Sequence, residues 1–135
     1  MTTIATPPNP YNKKNRQSPE MRLQAECFKE AWNQYPETRR LLFHVENELN
    51  MAGNNSRLGA IRRAEGIVRG VSDLILLMPR GKYHGLMIEM KTMDGYQRKE
   101  QKEWQSLVEA QGYRYEVIRT KDAFMALLAE YLGEK

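Results

Sequence analysis

Ser72-Asp73-Leu74-Ile75-Leu76-Leu77-Met78 is a nearly continuous apolar run. It leads through Pro79-Arg80-Gly81-Lys82 into a second apolar stretch from His84 to Lys91. No other feature narrows the fold as much. A short run without polar alternation fits a strand covered on both faces. A Pro- and Gly-containing turn between two such runs fits a hairpin, here 72–78 paired with 84–91. Such a hairpin needs other elements to bury it, so the rest of the chain must supply the cover.

The flanks read as that cover. Ser18-Pro19-Glu20 is a helix start: Ser18 as N-cap, Pro19 at the first helical position and Glu20 complementing the dipole. Leu23, Cys27, Phe28 and Ala31 recur at helical spacing until Tyr35-Pro36 stops the helix. Residues 41–45 read as a short strand, 47–56 as an Asn- and Gly-rich loop, and 58–64 as a short basic helix ending near Gly66. After the hairpin, 92–98 is a loop. Residues 99–111 form an amphipathic helix with Trp104, Leu107 and Val108 on one face and Gly112 as C-cap. Residues 113–118 form a strand. Residues 122–132 form a closing helix, with Phe124, Leu127, Leu128 and Tyr131 at helical spacing. The last strand follows a helix, so a right-handed crossover places it parallel to an earlier strand. The expected fold is α/β, a small mixed sheet with helices on both faces. It occupies one domain over 18–135, after a flexible basic leader over 1–17.

Composition excludes several alternatives. At 135 residues the chain is one domain, or one domain with a tail. A single cysteine, Cys27, rules out an intramolecular disulfide and a Cys-rich zinc site. Two histidines leave too few ligands for a His-based zinc site. No apolar run approaches the roughly 20 residues of a membrane span, and the first residues lack the basic and apolar regions of a secretion signal. A soluble, cytoplasmic domain is expected, and its small size fits a phage or mobile element in a bacterial cell. The 21 Lys and Arg exceed the 17 Asp and Glu, giving a net charge of +4. All of that excess lies in the first 70 residues. It concentrates in Lys13, Lys14 and Arg16 of the leader, and in Arg57, Arg62, Arg63 and Arg69. Basic stretches are often merely solvated, but Arg suits phosphate geometry. An arginine group just before Asp73 can hold a nucleic-acid backbone while chemistry proceeds beyond it.

The chemistry lies with polar residues inside the apolar strands. Asp73 begins the first strand of the hairpin, and Glu89 and Lys91 lie on the second. A strand repeats every two residues, so Glu89 and Lys91 share a face. On spacing alone two readings stand: a solvated strand end whose charges satisfy one another, or a site. As a site, two carboxylates offer the hard oxygens that Mg²⁺ or Mn²⁺ takes. Such a metal activates water for phosphodiester hydrolysis, and a nearby Lys stabilises the developing charge. Glu20 supplies a third carboxylate if its helix crosses the sheet end.

These residues also carry a resemblance. Gly70-Val71-Ser72-Asp73-Leu74, then Ile88-Glu89-Met90-Lys91, then Gln101 with Trp104 resemble the VRR-NUC (virus-type replication-repair nuclease) domain of the PD-(D/E)XK superfamily. Glu20-Met21-Arg22-Leu23-Gln24 resembles that family's opening helix. Glu65-Gly66 resembles the approach to its central motif, and Arg119-Thr120 with Asp122 the start of its final helix. The resemblance implies a four-stranded mixed core of the restriction-endonuclease type. It implies Glu20, Asp73 and Glu89 as metal ligands, with the Met90 carbonyl as a backbone ligand and one or two Mg²⁺ or Mn²⁺ per site. Lys91 would be the catalytic lysine, Gln101 a helix residue at the active site and Gln24 a supporting residue behind it. The family usually has Pro where this chain has Ser72, which puts local backbone rigidity in question rather than metal ligation.

The expected activity is metal-dependent hydrolysis of DNA, selective for branched or four-way-junction repair and recombination intermediates. Small members of this kind resemble junction resolvases, which act as homodimers, and a C₂ dimer is the default oligomer. A nickase or end-processing nuclease of the same chemistry is the alternative, as is a DNA-binding scaffold that keeps the fold without catalysis. His44 and His84 read as ordinary polar residues, and Trp104, Phe124 and Tyr131 as core. Asn47 and Glu48 either form a turn or reach the site.

Overall fold

The computed structural model describes residues 18–46 and 56–133. The expected leader, Asn47, Glu48 and nearly all of the 47–56 loop lie outside the described residues. Helix α1 (Pro19–Gln34) starts as its sequence requires: the Ser18 side chain accepts the Met21 N–H at 3.2 Å, and Pro19 opens the first turn. A short 3₁₀ turn at Pro36–Thr38, which periodicity does not reveal, leads to β1 (Leu42–His44). Then come α2 (Ser56–Ala64), β2 (Leu74–Leu76), β3 (Leu86–Met90), α3 (Lys99–Ala110), β4 (Arg114–Ile118) and α4 (Lys121–Tyr131). Thr120 caps α4 by accepting the Ala123 N–H at 3.1 Å. Gly112 follows the C-cap of α3 at φ 90°, where a side chain would also strike the His84 ring.

The four strands form one mixed sheet in the order β1-β2-β3-β4. The first two pairings are antiparallel, and the β3-α3-β4 crossover makes the third parallel. This is the four-stranded mixed core that the resemblance implies. Strand alternation divides the sheet into two unlike faces. Leu86, Ile88 and Met90 of β3 join Leu74, Leu76 and Ile118 against α1 and α4, where Cys27, Ala31, Phe124, Leu127 and Leu128 complete an apolar core. Each large side chain buried there stabilises the fold by roughly 1.5–3 kcal/mol. The intervening residues, Met87, Glu89 and Tyr115, face the other way, and Lys91 continues their alternation just beyond β3. That face is covered by α3, whose Trp104 meets Tyr115 edge-on with ring centroids 6.1 Å apart.

Two expectations are corrected. The apolar run around β2 is not buried on both faces: Leu74, Leu76 and Met78 are buried, but Leu77 is 52% exposed. Helix α3 packs chiefly along β4. The buried face of α3 is also rotated from the expected one. Gln101 is buried, Trp104 and Val108 are half-buried, and Leu107 is 67% exposed. Turning a polar Gln101 inward carries Leu107 out to solvent. Among the described residues no helix is long and apolar enough to cross a membrane.

Candidate active site

The site lies where β2 begins and β3 ends. Antiparallel pairing sets Leu74 opposite Ile88, which brings Asp73 beside the last residues of β3. There the Met90 N–H donates to Asp73 Oδ2 at 2.7 Å. Asp73 thus occupies a position that a strand partner would otherwise fill, and its carboxylate is held by backbone rather than by a flexible side chain. Ser72 is fully buried, and its hydroxyl donates to the Leu74 carbonyl at 3.2 Å. This bond spans Asp73 and restrains the backbone where the family usually has a Pro ring.

Glu89 is only 2% exposed and Lys91 5%. Their charged groups lie on one face at 4.0 Å, the outer limit of an ion pair. Burial pushes the Glu89 carboxyl up to about 9. Asp73 adds to the rise through its charge and a hydrogen bond, Lys91 opposes it, and Glu20 adds a smaller charge effect. The arrangement therefore crowds two carboxylates with too little positive charge among the protein's own groups to ionise both.

Gln101 links this pair to α3. Its Oε1 accepts the Arg98 N–H at 2.8 Å, satisfying an orphan donor at the start of the helix. Its Nε2 donates to Glu89 Oε1 at 2.9 Å. The two bonds fix the amide orientation, so helix capping and carboxylate positioning are one constraint. Gly70 sets the neighbouring wall. At φ 83° it lies so close to α3 that a Cβ would fall 2.3 Å from the Glu100 carbonyl oxygen. This approach brings Arg69 and Arg98 to a small pocket of about 190 Å³ beside Glu100 and Gln101.

On the α1 side a larger cleft of about 530 Å³ opens onto Asp73. Glu20 and Gln24 line it from α1, with Phe43 and His44 from β1. Among the described residues no three Asp, Glu, His or Cys side chains gather as a metal-holding group. Glu20 shares the Asp73 cleft without closing around the Asp73–Glu89 pair. Met90 buries its side chain in the core and uses its N–H on Asp73. Of the four arginines, Arg69 lies beside Gln101, while Arg57, Arg62 and Arg63 ride on α2, which among the described residues shares no extensive contact with the other elements.

Two residues at the site escaped the sequence reading. His44, read there as an ordinary polar residue, bonds through Nδ1 to the Asp73 carbonyl at 2.8 Å and lines the same cleft. Tyr115 donates its hydroxyl towards Glu89 Oε2 at 3.5 Å and accepts Gln97 Nε2 at 3.2 Å. Burial, reinforced by the Glu89 charge, pushes the Tyr115 hydroxyl well above its usual value, so it stays protonated as a donor. The alternation of β4 alone could have marked Tyr115 as facing one side, but only its parallel pairing with β3 shows that this side is that of Glu89.

The comparisons with known proteins agree with this geometry. The VRR-NUC domain model matches residues 12–122. A solved structure described as a VRR_NUC domain protein shares the fold with a TM-score of 0.72 at 24% sequence identity, covering 87% of this chain and 91% of its own. No curated protein matches. With the match spanning most of the sequence, and a four-stranded mixed sheet carrying Asp73, Glu89, Lys91 and Gln101 at one end, the chain belongs to the VRR-NUC domain family, a nuclease-type domain.

Proposed function

We propose that this protein is a divalent-metal-dependent endodeoxyribonuclease acting on branched or four-way-junction DNA, with Asp73, Glu89, Lys91 and Gln101 as its working residues. The observation that carries the reading is the Asp73–Glu89 pair: Glu89 is buried, and its burial, with the Asp73 charge beside it, raises its carboxyl to about 9. A divalent cation is the partner that relieves such a pair. Mg²⁺ suits the donor set, because it commonly takes only one or two protein carboxylates and completes its shell with water and substrate phosphate. Asp73 and Glu89 would hold it, with the Met90 carbonyl as a backbone ligand and Glu20 reaching in from α1. Bound there, it would lower the pKa of a water and neutralise charge on the phosphate oxygens.

The protein's own groups perform the rest. The Met90 N–H and Gln101 keep the two carboxylates in place before substrate arrives. Lys91, buried beside Glu89, presents a positive charge to the charge that develops in the transition state. Arg69 and Arg98 offer the phosphate backbone a basic wall next to Gln101, and Arg57, Arg62 and Arg63 of α2 would add further phosphate contacts. Two copies related by a two-fold axis would place two such sites on the two strands of a junction.

The test is incubation with labelled four-way-junction, flap, duplex and single-stranded DNA in Mg²⁺, Mn²⁺ or EDTA, with Lys91→Ala as control. Branched DNA cut in Mg²⁺ or Mn²⁺ only, and not by Lys91→Ala, is the expected result. Cleavage that survives EDTA, or equal cleavage by Lys91→Ala, overturns the mechanism. Binding without cleavage in every metal identifies a scaffold. Paired symmetric nicks in the junction, together with a dimer by sedimentation, identify a resolvase.

A further inference from the structure

We propose that Tyr96 is a stacking platform for an unpaired nucleobase next to the reacting phosphate, and that it confers preference for branched over intact duplex DNA. This rests on the nuclease reading for its biological meaning, but it is carried by different residues.

The loop 91–98 joins Lys91 to α3, so it forms the rim of the site. It is held at both ends. Arg119 Nη1 donates to the carbonyls of Thr92 and Gly95, each at 2.6 Å. The Gly95 N–H closes a turn onto the Thr92 carbonyl at 3.1 Å. A Cβ on Gly95 would stand 3.1 Å from Thr92 Oγ1 and 3.5 Å from Lys91 Cδ, so the turn lies directly against the Lys91 stem. At the other end Gln97 Nε2 donates to Gln105 Oε1 at 2.9 Å and to the Tyr115 hydroxyl that reaches Glu89.

Between these anchors stands Tyr96, 79% exposed, with Met93 71% exposed on the same loop. A loop tied down at both ends loses little conformational entropy when it binds. Such a loop displaying its largest aromatic ring to solvent is organised for contact rather than for core packing. The occupant follows from position and charge. The loop borders the proposed phosphodiester site through Gly95 against Lys91 and Gln97 against Tyr115, the chain carries a net charge of +4, and the loop runs on into Arg98 and Lys99. The aromatic surface nearest a bound phosphate is a nucleobase. Base–aromatic stacking is tolerant of sequence because every base has a π-face. Within an intact duplex that face is already stacked, and exposing it costs a few kcal/mol. At a branch, flap or frayed end it is free.

The experiment has two arms. In the first, cleavage of flap or junction DNA is measured relative to duplex for wild type, Tyr96→Phe and Tyr96→Ala. Removing one stack should lower the branched-to-duplex ratio by about 5- to 150-fold in Tyr96→Ala, while Tyr96→Phe keeps it. An unchanged ratio in Tyr96→Ala, or an equal fall in Tyr96→Phe, overturns the proposal. The second arm needs no cleavage. Branched DNA with 2-aminopurine at the unpaired position is bound by Lys91→Ala, with and without the Tyr96 changes. The fluorescence change on binding should persist with Tyr96→Phe and vanish with Tyr96→Ala. If it is the same in Tyr96→Ala, or if no variant binds, the stacking role is wrong. If no variant cuts any DNA but the ring-dependent signal holds, the nuclease reading fails and the stacking role stands.

Discussion

The two faces of β3 differ in what their burial achieves. Leu86, Ile88 and Met90 are fully buried against α1 and α4, among residues that need no partner. Glu89, one residue along, is nearly as buried against α3, yet it carries a carboxyl in need of Gln101, Tyr115, Lys91 and Asp73. The first face lowers the free energy of the fold through removal of apolar surface from water. The second holds ionisable groups out of water, which costs stability unless they are paired or neutralised. One short strand thus separates an apolar face from the candidate site by the alternation of its side chains.

Substitutions on each face should break this comparison in opposite ways. The largest effect is expected from Phe124→Ala on the apolar face, a loss of about 3–5 kcal/mol of stability. Denaturant unfolding would measure it, and cleavage per folded molecule should remain. Lys91→Ala on the other face should do the reverse, lowering the cleavage rate by roughly 10²- to 10³-fold at a smaller cost in stability than Phe124→Ala. Gln101→Ala should fall between them. A 10- to 100-fold loss of metal affinity or rate is typical of a residue that orients a ligand. Metal titration followed by cleavage rate would read it, together with a small stability loss from the missing helix cap.

The smallest effect bears most directly on the cost of the polar face. The Glu89 carboxyl, at about 9 in the metal-free fold against 4.5 ordinarily, keeps a proton that the unfolded chain releases. The metal-free protein should therefore lose stability as pH rises between those two values. Glu89→Gln removes that loss and should flatten the decline. In EDTA near pH 8 it should raise Tm by about 4 °C or more, the shift that about 1 kcal/mol gives a small domain, while abolishing cleavage. A Tm that falls equally with pH in both proteins would show that Glu89 does not hold the proton.

Much of this was legible in the residues. The hairpin announced itself in an apolar run, a Pro-Arg-Gly-Lys turn and a second run, because strand pairing over a short turn is a local event. The helix starts at Ser18-Pro19 was equally readable, since an N-cap acts within its own first turn. Glu89 and Lys91 share a face for the same local reason, a period of two. Leu107 and Leu77 were misjudged because periodicity reports that a side chain is apolar, not whether another element arrives to cover it. His44 could not be placed in the site, because nothing near it in sequence tells that β1 lies antiparallel to β2 with His44 opposite Leu74.

The sequence by itself determined the strands and α-helices, the apolar faces of α1 and α4, and the acidic and basic residues available for chemistry, all consequences of local propensity and spacing. Only the tertiary structure decided that Gln101 caps α3 while holding Glu89, that Gly70 brings Arg69 against the same helix, that Tyr115 reaches the buried carboxyl, and that Arg119 ties down the loop bearing Tyr96. Each of these joins residues distant in the chain. They meet only when the β3–β4 crossover and the sheet order bring their elements together, and no local pattern encodes that meeting.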